Sequence, residues 1–331
     1  MTAPVRFGVL GCADIAWRRT LPSMVACPDV DLVAVASRDA DKAARFAERF
    51  GGEAVHGYEA VLEREDVDAV YLPLPTGLHR EWCARALRAG KHVLVEKPMA
   101  VDHQEALELA ALADKHGVVL LENRGFAHHT QHDAVRKLVA DGVIGELRAF
   151  TSSMGIPPPP RGDVRYRADL GGGSLLDVGF YPAAAAQLFV HPDLEVLGAR
   201  LEHDDEVGVD VSGEALVVSP DGVSAHLSFG MRHAYRTHYE LWGSEGRLVL
   251  ERPFSAPDHW LPVLRVERQD RAERLTLPPC AQFTAQFRSF AAAVRADPAH
   301  RAAQLEPSVR AAALLSAIRD RSTSTGTGGP R

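Results

Sequence analysis

Gly8-Val9-Leu10-Gly11-Cys12-Ala13-Asp14-Ile15-Ala16 stands where a short apolar run gives way to a helical pattern. Read as G-x-G-x-x-G/A, its core is Gly11-Cys12-Ala13-Asp14-Ile15-Ala16, a strand-to-helix turn of the kind that cradles a pyrophosphate. Ala13 occupies the place where a second glycine usually allows the closest backbone approach, so one methyl group sets the phosphates slightly farther out. The first-turn amides around Gly11, Cys12, Ala13, Asp14 and Ile15, together with the helix dipole, can still hold an anion. So degenerate a match could be a plain strand-helix turn. Its place on the first βα unit favours the dinucleotide.

The end of the second strand reads Val35-Ala36-Ser37-Arg38-Asp39. An acidic residue here would accept from a ribose 2′-hydroxyl, whereas an arginine accommodates a 2′-phosphate. Ser37 can donate to that phosphate, and Arg38 can pair with it and stack on adenine. Asp39 is suited to capping the next helix, and the whole tripeptide could do no more than that. The balance favours NADP(H).

Outward from this end, apolar strands at 5–10, 32–36, 69–72, 92–95 and 118–121 alternate with helical segments near 14–26, 40–50, 76–89 and 102–115. Asp102-His103-Gln104-Glu105 is a capping box. Such alternation predicts an α/β domain over 1–122, a doubly wound parallel sheet. Beyond it the period changes. Val223, Ala225, Leu227 and Phe229 alternate with polar residues, and strands are also expected at 209–218, 235–242, 247–251 and 263–267. Helices are expected at 129–140, 174–189, 281–296 and 308–320. These predict an α+β domain over 123–321, with a large, mostly antiparallel open sheet and helices on one face. The other face needs cover, and a second subunit is the simplest cover, so a homo-oligomer is expected. The Ser-, Thr- and Gly-rich stretch 322–331 is expected to be disordered.

His92-Val93-Leu94-Val95-Glu96-Lys97-Pro98 places a carboxylate and an amine at the carboxyl end of a buried strand, where open α/β sheets bind ligands. Pro98 restricts the backbone of Lys97 and so gives its side chain a defined direction. On its own the tripeptide Glu96-Lys97-Pro98 could equally be a surface turn.

With 331 residues, two domains are expected. A hydrophobic content of 46%, a charged content of 24% and a net charge of −7 suit a globular enzyme and give no reason to expect nucleic acid or a membrane surface. The N-terminus lacks the basic segment and apolar run of a signal peptide, which leads to an expectation of cytoplasmic residence. The four cysteines form no C-x-x-C pair. His128, His129 and His132 are the densest group among the histidines but have no carboxylate at ligand spacing, so no metal is expected.

Taken together, these pieces resemble the glucose–fructose oxidoreductase / inositol dehydrogenase (Gfo/Idh/MocA) family over nearly the whole length. The resemblance rests on the Gly-rich turn, Leu72-Pro73-Leu74-Pro75-Thr76-Gly77-Leu78-His79, Glu96-Lys97-Pro98 and Asp177-Val178-Gly179-Phe180-Tyr181-Pro182. It implies an N-terminal Rossmann domain, a C-terminal open-sheet domain and a substrate between them. It also implies a cis Lys97-Pro98 peptide, with Tyr58, Leu74 and His79 along the cofactor and Glu96 fixing the loop beside it. Asp177 and Tyr181 are spaced i, i+4 and share a helix face. Asp177 could accept sugar hydroxyls, or merely stabilise the helix dipole. The Gly171-Gly172-Gly173-Ser174 run before them allows close backbone approach and a helix start. The family often has His where Tyr181 stands, which leaves the proton donor open between Tyr181 and Lys97.

More narrowly, Glu122 to His132 and the Pro-rich loop from Gly155 to Arg167 are similar to the nucleotide-diphosphate-sugar 3-ketoreductases of bacterial deoxysugar pathways. Arg161, Arg165 and Arg167 of that loop could meet a sugar diphosphate. Arg18, one turn into the first helix, could reach either cofactor or substrate. The resemblance implies reduction of the C-3 carbonyl of a dTDP-linked keto-deoxyhexose by NADPH. Lys97, with a pKa lowered beside a partly buried cofactor, would stabilise the alkoxide and protonate it, with Tyr181 sharing that role. The rivals are an oxidative dehydrogenase of inositol or a free sugar, and a non-catalytic sensor that binds NADP and a sugar.

Overall fold

The computed structural model describes residues 3–326. They fall into two compact units, one of residues up to 128 with 281–309, the other of 129–280 with the residues from 310 onward. The chain therefore returns to the first unit late, a step that the expected boundary at 122 does not contain.

The first unit is built on a parallel sheet of β1 (Val5–Leu10), β2 (Val30–Ser37), β3 (Glu53–His56), β4 (Ala69–Leu72), β5 (His92–Glu96) and β6 (Leu120–Asn123), in the order β3-β2-β1-β4-β5-β6. Val93, Leu94 and Val95 are all fully buried. Both faces of β5 are covered, which is why it reads as a continuous apolar run. Part of the cover of this sheet is the helix Gln282–Arg295, whose Phe287 and Phe290 rings lie 5.6 and 5.2 Å from Phe7 of β1. The strand order reverses between β1 and β4, so the crevice for a ligand opens at the carboxyl ends of those two strands.

The first helix starts at Asp14, winds as a π-helix over Ala16–Thr20 and continues as an α-helix over Leu21–Val25. Asp102 caps the helix His103–His116, accepting from Glu105 N at 2.8 Å. Glu105 returns its bond to Val101 N at 3.4 Å, one residue before the cap.

The second unit carries β7 (Leu147–Gly155), β8 (Glu195–Asp204), β9 (Val209–Val218), β10 (Ser224–Gly230), β11 (Arg236–Gly243), β12 (Arg247–Glu251), β13 (Val263–Arg268), β14 (Arg271–Thr276) and β15 (Ser322–Gly326). They form one open sheet, ordered β14-β13-β12-β11-β7-β10-β9-β8-β15. Pairing is antiparallel except for β7 with β10 and β8 with β15. The cross-strand row Leu241, Phe150, Ala225, Val217 and Val196 is buried, on the side where the helix Phe180–Phe189 packs on β7. The adjacent row Glu240, Thr151, His226 and Leu216 faces the other way, as does Trp242, two residues on from Glu240.

Several elements differ from expectation. The strands β3, β7, β8 and β14 lack the apolar alternation that marked the others, and the last long helix begins at Pro298 rather than at 308. The tail is not disordered from 322: Ser322–Gly326 pairs with β8, its backbone bonding to an edge strand whatever its side chains. The rest of the expected disordered tail lies outside the described residues. No helix among the described residues is long and apolar enough to cross a membrane.

Candidate active site

At the carboxyl end of β1, Gly11 has φ +126°. A Cβ there would meet Leu74 Cδ2 at 2.8 Å and Pro73 O at 3.4 Å. Only glycine fits both the backbone angle and the approach of the β4 loop. The first intrahelical bond is Trp17 N to Ala13 O at 3.1 Å, so the amides of Asp14, Ile15 and Ala16 precede the helical ladder. Asp14 would repel an anion at this helix start, but it is ion-paired with Arg18, one turn on, and both are exposed. Arg18 lies inside the π-helical segment Ala16–Thr20.

Beside this turn, the exposed Arg38 donates to the hydroxyl of Tyr58, a residue only 6% exposed whose ring stands edge-on to Trp82 at 4.9 Å. Burial, against the pull of Arg38, pushes the Tyr58 phenol above its ordinary pKa. Ser37 Oγ accepts from Asp39 N at 3.1 Å and also contacts Cys12, whose thiol burial pushes up to about 11. The carboxylate of Asp39 is turned to its helix, accepting from Lys42 N at 3.1 Å. The strand end therefore presents Ser37 and Arg38, with its neighbouring acid occupied. That set fits a phosphorylated ribose better than a free 2′-hydroxyl.

At the carboxyl end of β5, Glu96 is fixed by its neighbours. Its Oε1 accepts from Tyr71 Oη and from Asn123 Nδ2, each at 2.6 Å, and its Oε2 accepts from Lys97 N at 3.3 Å. Burial raises its pKa, against those same bonds. Glu96 is thereby committed to holding the loop. The Lys97-Pro98 peptide is cis. His79 is fully buried, with Nδ1 at 2.9 Å from Pro98 O and Nε2 at 2.8 Å from Leu74 O. Burial lowers its pKa to about 4. Both ring nitrogens lie within reach of carbonyl oxygens, and the neutral ring donates to one of the two, so His79 sits between the Leu74 loop and the Pro98 loop with a single donated bond.

One group here stood in the sequence only as the start of a motif, with no role of its own. Glu122, on β6, is 4% exposed, and its Oε1 accepts from Met99 N at 2.6 Å. Its Oε2 stands 3.8 Å from Arg124 Nε, beyond hydrogen-bond reach. Burial pushes the carboxyl up to about 7, against Arg124, Met99 N, Ser308 and Lys97. The available signal was its place at the carboxyl end of a strand, the same signal that singled out Glu96 and Lys97.

In the second unit, Asp177 lies within a π-helical segment, Leu175–Gly179, and Tyr181 stands just beyond it in the helix Phe180–Phe189. Helices wound this way are rare and concentrate at functional sites. The helix start is built from β9: Asp210 Oδ2 accepts from Leu175 N at 2.7 Å and from Ser174 Oγ at 2.6 Å. Ser174 stands at the N-cap without a side-chain cap bond of its own, and Asp210 satisfies the helix start instead. The close approaches of the glycine run are likewise to the chain itself. A Cβ on Gly172 would meet Arg165 O at 2.6 Å and Arg167 O at 2.8 Å, which ties the Pro-rich loop to the helix start.

Asp177 Oδ2 accepts from Arg165 Nε at 2.5 Å, and Asp163 takes Arg165 Nη1 at 3.1 Å. Asp177 above all, with Asp163, raises the guanidinium pKa further. Arg167 is exposed and paired with Asp169 at 2.5 Å, while Arg161 is exposed. Tyr181 is half-buried, its ring 5.3 Å from Phe254 and 5.6 Å from Phe180. His128 falls in the first unit and His129 and His132 in the second, where His132 Nδ1 meets Tyr239 Oη at 2.9 Å. Among the described residues, no group of three His, Cys, Asp or Glu could hold a metal ion.

Comparison with known proteins agrees with the fold. An oxidoreductase family described by its NAD-binding Rossmann fold, GFO/IDH/MocA, matches residues 5–124, and the C-terminal domain of the same family matches 132–249. The dTDP-3,4-didehydro-2,6-dideoxy-α-D-glucose 3-reductase of Actinomadura kijaniata is 53% identical over 96% of this chain and 95% of its own length. A protein of that name from Saccharopolyspora spinosa is 50% identical, over 96% of this chain and 97% of its own. The crystal structure of KijD10, a 3-ketoreductase from Actinomadura kijaniata in complex with NADP and TDP-benzene, superposes with a TM-score of 0.95 at 51% identity, covering 98% of this chain and 99% of that one.

Proposed function

Since the chain belongs to the Gfo/Idh/MocA oxidoreductase family, we propose that it is an NADPH-dependent 3-ketoreductase of a dTDP-linked keto-deoxyhexose. Its relatives from Actinomadura kijaniata and Saccharopolyspora spinosa are named for that reaction on a 3,4-didehydro-2,6-dideoxy-glucose. The observation that carries the reading is Lys97. Its amine leaves the carboxyl end of a buried strand from a loop fixed by Glu96, His79 and Glu122, in a chain that matches such reductases over nearly its whole length.

Gly11, Cys12, Ala13, Asp14 and Ile15 hold the pyrophosphate of the cofactor, Ser37 and Arg38 its 2′-phosphate, and Tyr58 supports Arg38. Leu74 packs over the turn. When bound, NADPH supplies the hydride. Lys97 stabilises the negative charge that develops on the C-3 oxygen and delivers a proton to it, and Tyr181 shares in that delivery. Asp177 accepts hydroxyls of the sugar, and Arg165 orients Asp177. Arg18 neutralises Asp14 and lies at the edge of the phosphate site.

We assign NADP binding to the unit of residues up to 128 with 281–309, and substrate binding and oligomerisation to the unit of 129–280 with the residues from 310 onward. We place the reaction in the cytoplasm, where nucleotide sugars and NADPH meet, and assign homo-oligomer formation to the open sheet face that bears Trp242 and Leu216, 60% and 43% exposed.

The test is direct. A dTDP-linked 3-keto sugar should oxidise NADPH rapidly in the presence of the protein, whereas inositol and free aldoses with NADP should give negligible turnover. Faster turnover of the free polyols would overturn the reading.

A further inference from the structure

We infer that Glu122 is a positioning residue for Lys97, gripping the peptide group that succeeds the lysine loop and coupling its charge to the amine. The inference deepens the proposed function and rests on Lys97 being the reacting amine.

The Pro98–Met99 peptide group is gripped at its N–H by one buried side chain and flanked at its carbonyl by another. Its N–H donates to Glu122 Oε1 at 2.6 Å, and its carbonyl oxygen lies 2.9 Å from His79 Nδ1. One residue earlier, the backbone N–H of Lys97 donates to Glu96 Oε2. Three neighbouring strand ends thus hold the chain on either side of the lysine: the β4 loop through His79, β5 through Glu96 and β6 through Glu122. The grip alone would need only an acceptor, which an amide side chain supplies without the cost of a buried carboxyl.

Glu122 is a carboxylic acid in a site with 4% exposure, and the guanidinium nearest it stands 3.8 Å away without a hydrogen bond. The groups facing it are Arg124, the Met99 amide, the Ser308 hydroxyl and the Lys97 ammonium. Glu96, Glu122 and His79 each feel the charge of Lys97. Burial brings the Glu122 carboxyl to about 7, so above neutrality it is an anion, coupled most strongly to Arg124 and also to the Lys97 amine. Attraction between carboxylate and amine is mutual and favours the ammonium.

The experiment compares Glu122→Gln, which keeps an acceptor for Met99 N and loses the charge, with Glu122→Asp, which keeps the charge on a shorter stem. Glu122→Gln should shift the alkaline limb of the kcat profile to lower pH, with the KM for NADPH unchanged. Glu122→Asp should lose turnover with the limb in place. A Glu122→Gln limb that superposes on the parent, or a limb that moves equally in both variants, overturns the inference. Lys97→Ala separates this from the parent reading. Full turnover of Lys97→Ala removes Lys97 as the reacting amine. A dead Lys97→Ala beside an unmoved Glu122→Gln limb removes only the role of Glu122.

Discussion

Arg165 and Asp177 are bound to each other, Nε to Oδ2 at 2.5 Å, so an arginine that its loop offers to a diphosphate is already engaged by a carboxylate. Asp163 holds the same guanidinium from the other side. Two carboxylates around one arginine make a poor anion site and a well-oriented acid. Replacing Arg165 with Met should therefore lower kcat/KM for the sugar nucleotide on the order of tenfold to a hundredfold, with the KM for NADPH unaffected. In an Asp177→Asn background the same change should add little, because paired residues are non-additive. Fully additive losses in the cycle count against the pairing.

Arg38 reaches Tyr58 and stands at the strand end, while Asp39 is committed to its helix cap. Arg38→Ala should raise the KM for NADPH far more than that for NADH. Equal effects on the two cofactors would show that the 2′-phosphate is read elsewhere.

Lys97→Ala should reduce kcat by about two to four orders of magnitude at saturating substrate, and Tyr181→Phe should cost less if it shares the proton delivery. Single-turnover rates across pH identify the donor: the variant that abolishes the alkaline limb has lost it. A Tyr181→Phe variant slower than Lys97→Ala would exchange the two roles.

The burial of Glu122 has a cost that depends on pH. Its folded pKa, about 7, is raised above the ordinary 4.5. Between those values the folded state binds more protons than the unfolded one, so the contribution of this group to stability falls as pH rises through that window. The stability of Glu122→Gln relative to the parent should therefore improve by up to about 3 kcal/mol between pH 4.5 and pH 8. Urea unfolding at both pH values measures it. A difference that is flat with pH would mean that the carboxyl titrates normally.

Much of this architecture was legible in the residue pattern. Apolar runs between turns marked β1, β4 and β5, and period-two alternation marked β10, because burial on two faces or one leaves those signatures. The edge strand β3, Glu-Ala-Val-His, is largely exposed and leaves neither. The strand β7 sits at the centre of its sheet but carries Thr151, Ser152 and Ser153, where contacts such as Ser153 Oγ to His238 Nδ1 at 2.7 Å replace apolar burial. At the candidate site, Lys97, Asp177 and Tyr181 were singled out by the family resemblance of their motifs; residue type and spacing alone left a surface turn and a helix-dipole role open. The engagement of Arg165, the place of His79 between two loops and the burial of Glu122 depend on partners distant in the chain or in other elements, which no local pattern displays.

Trp242 and Leu216 project from the same face of the open sheet, 60% and 43% exposed. If that face joins subunits, Trp242→Glu with Leu216→Glu should shift the protein to monomer in light scattering, with the far-UV spectrum retained. An unchanged mass would place the contact elsewhere.

The π-helical turns at Ala16–Thr20 and Leu175–Gly179 have an evolutionary reading. Each amounts to one residue more than an α-helix of the same rise contains. Deleting a residue from either would restore the regular winding and rotate the downstream helix by about 100°, carrying Tyr181 out of phase with Asp177 in the second case. A single-codon deletion or insertion is thus a larger step in site geometry than any substitution at these positions. Lineages that diverge in substrate on this scaffold should differ there in length before they differ in residue type.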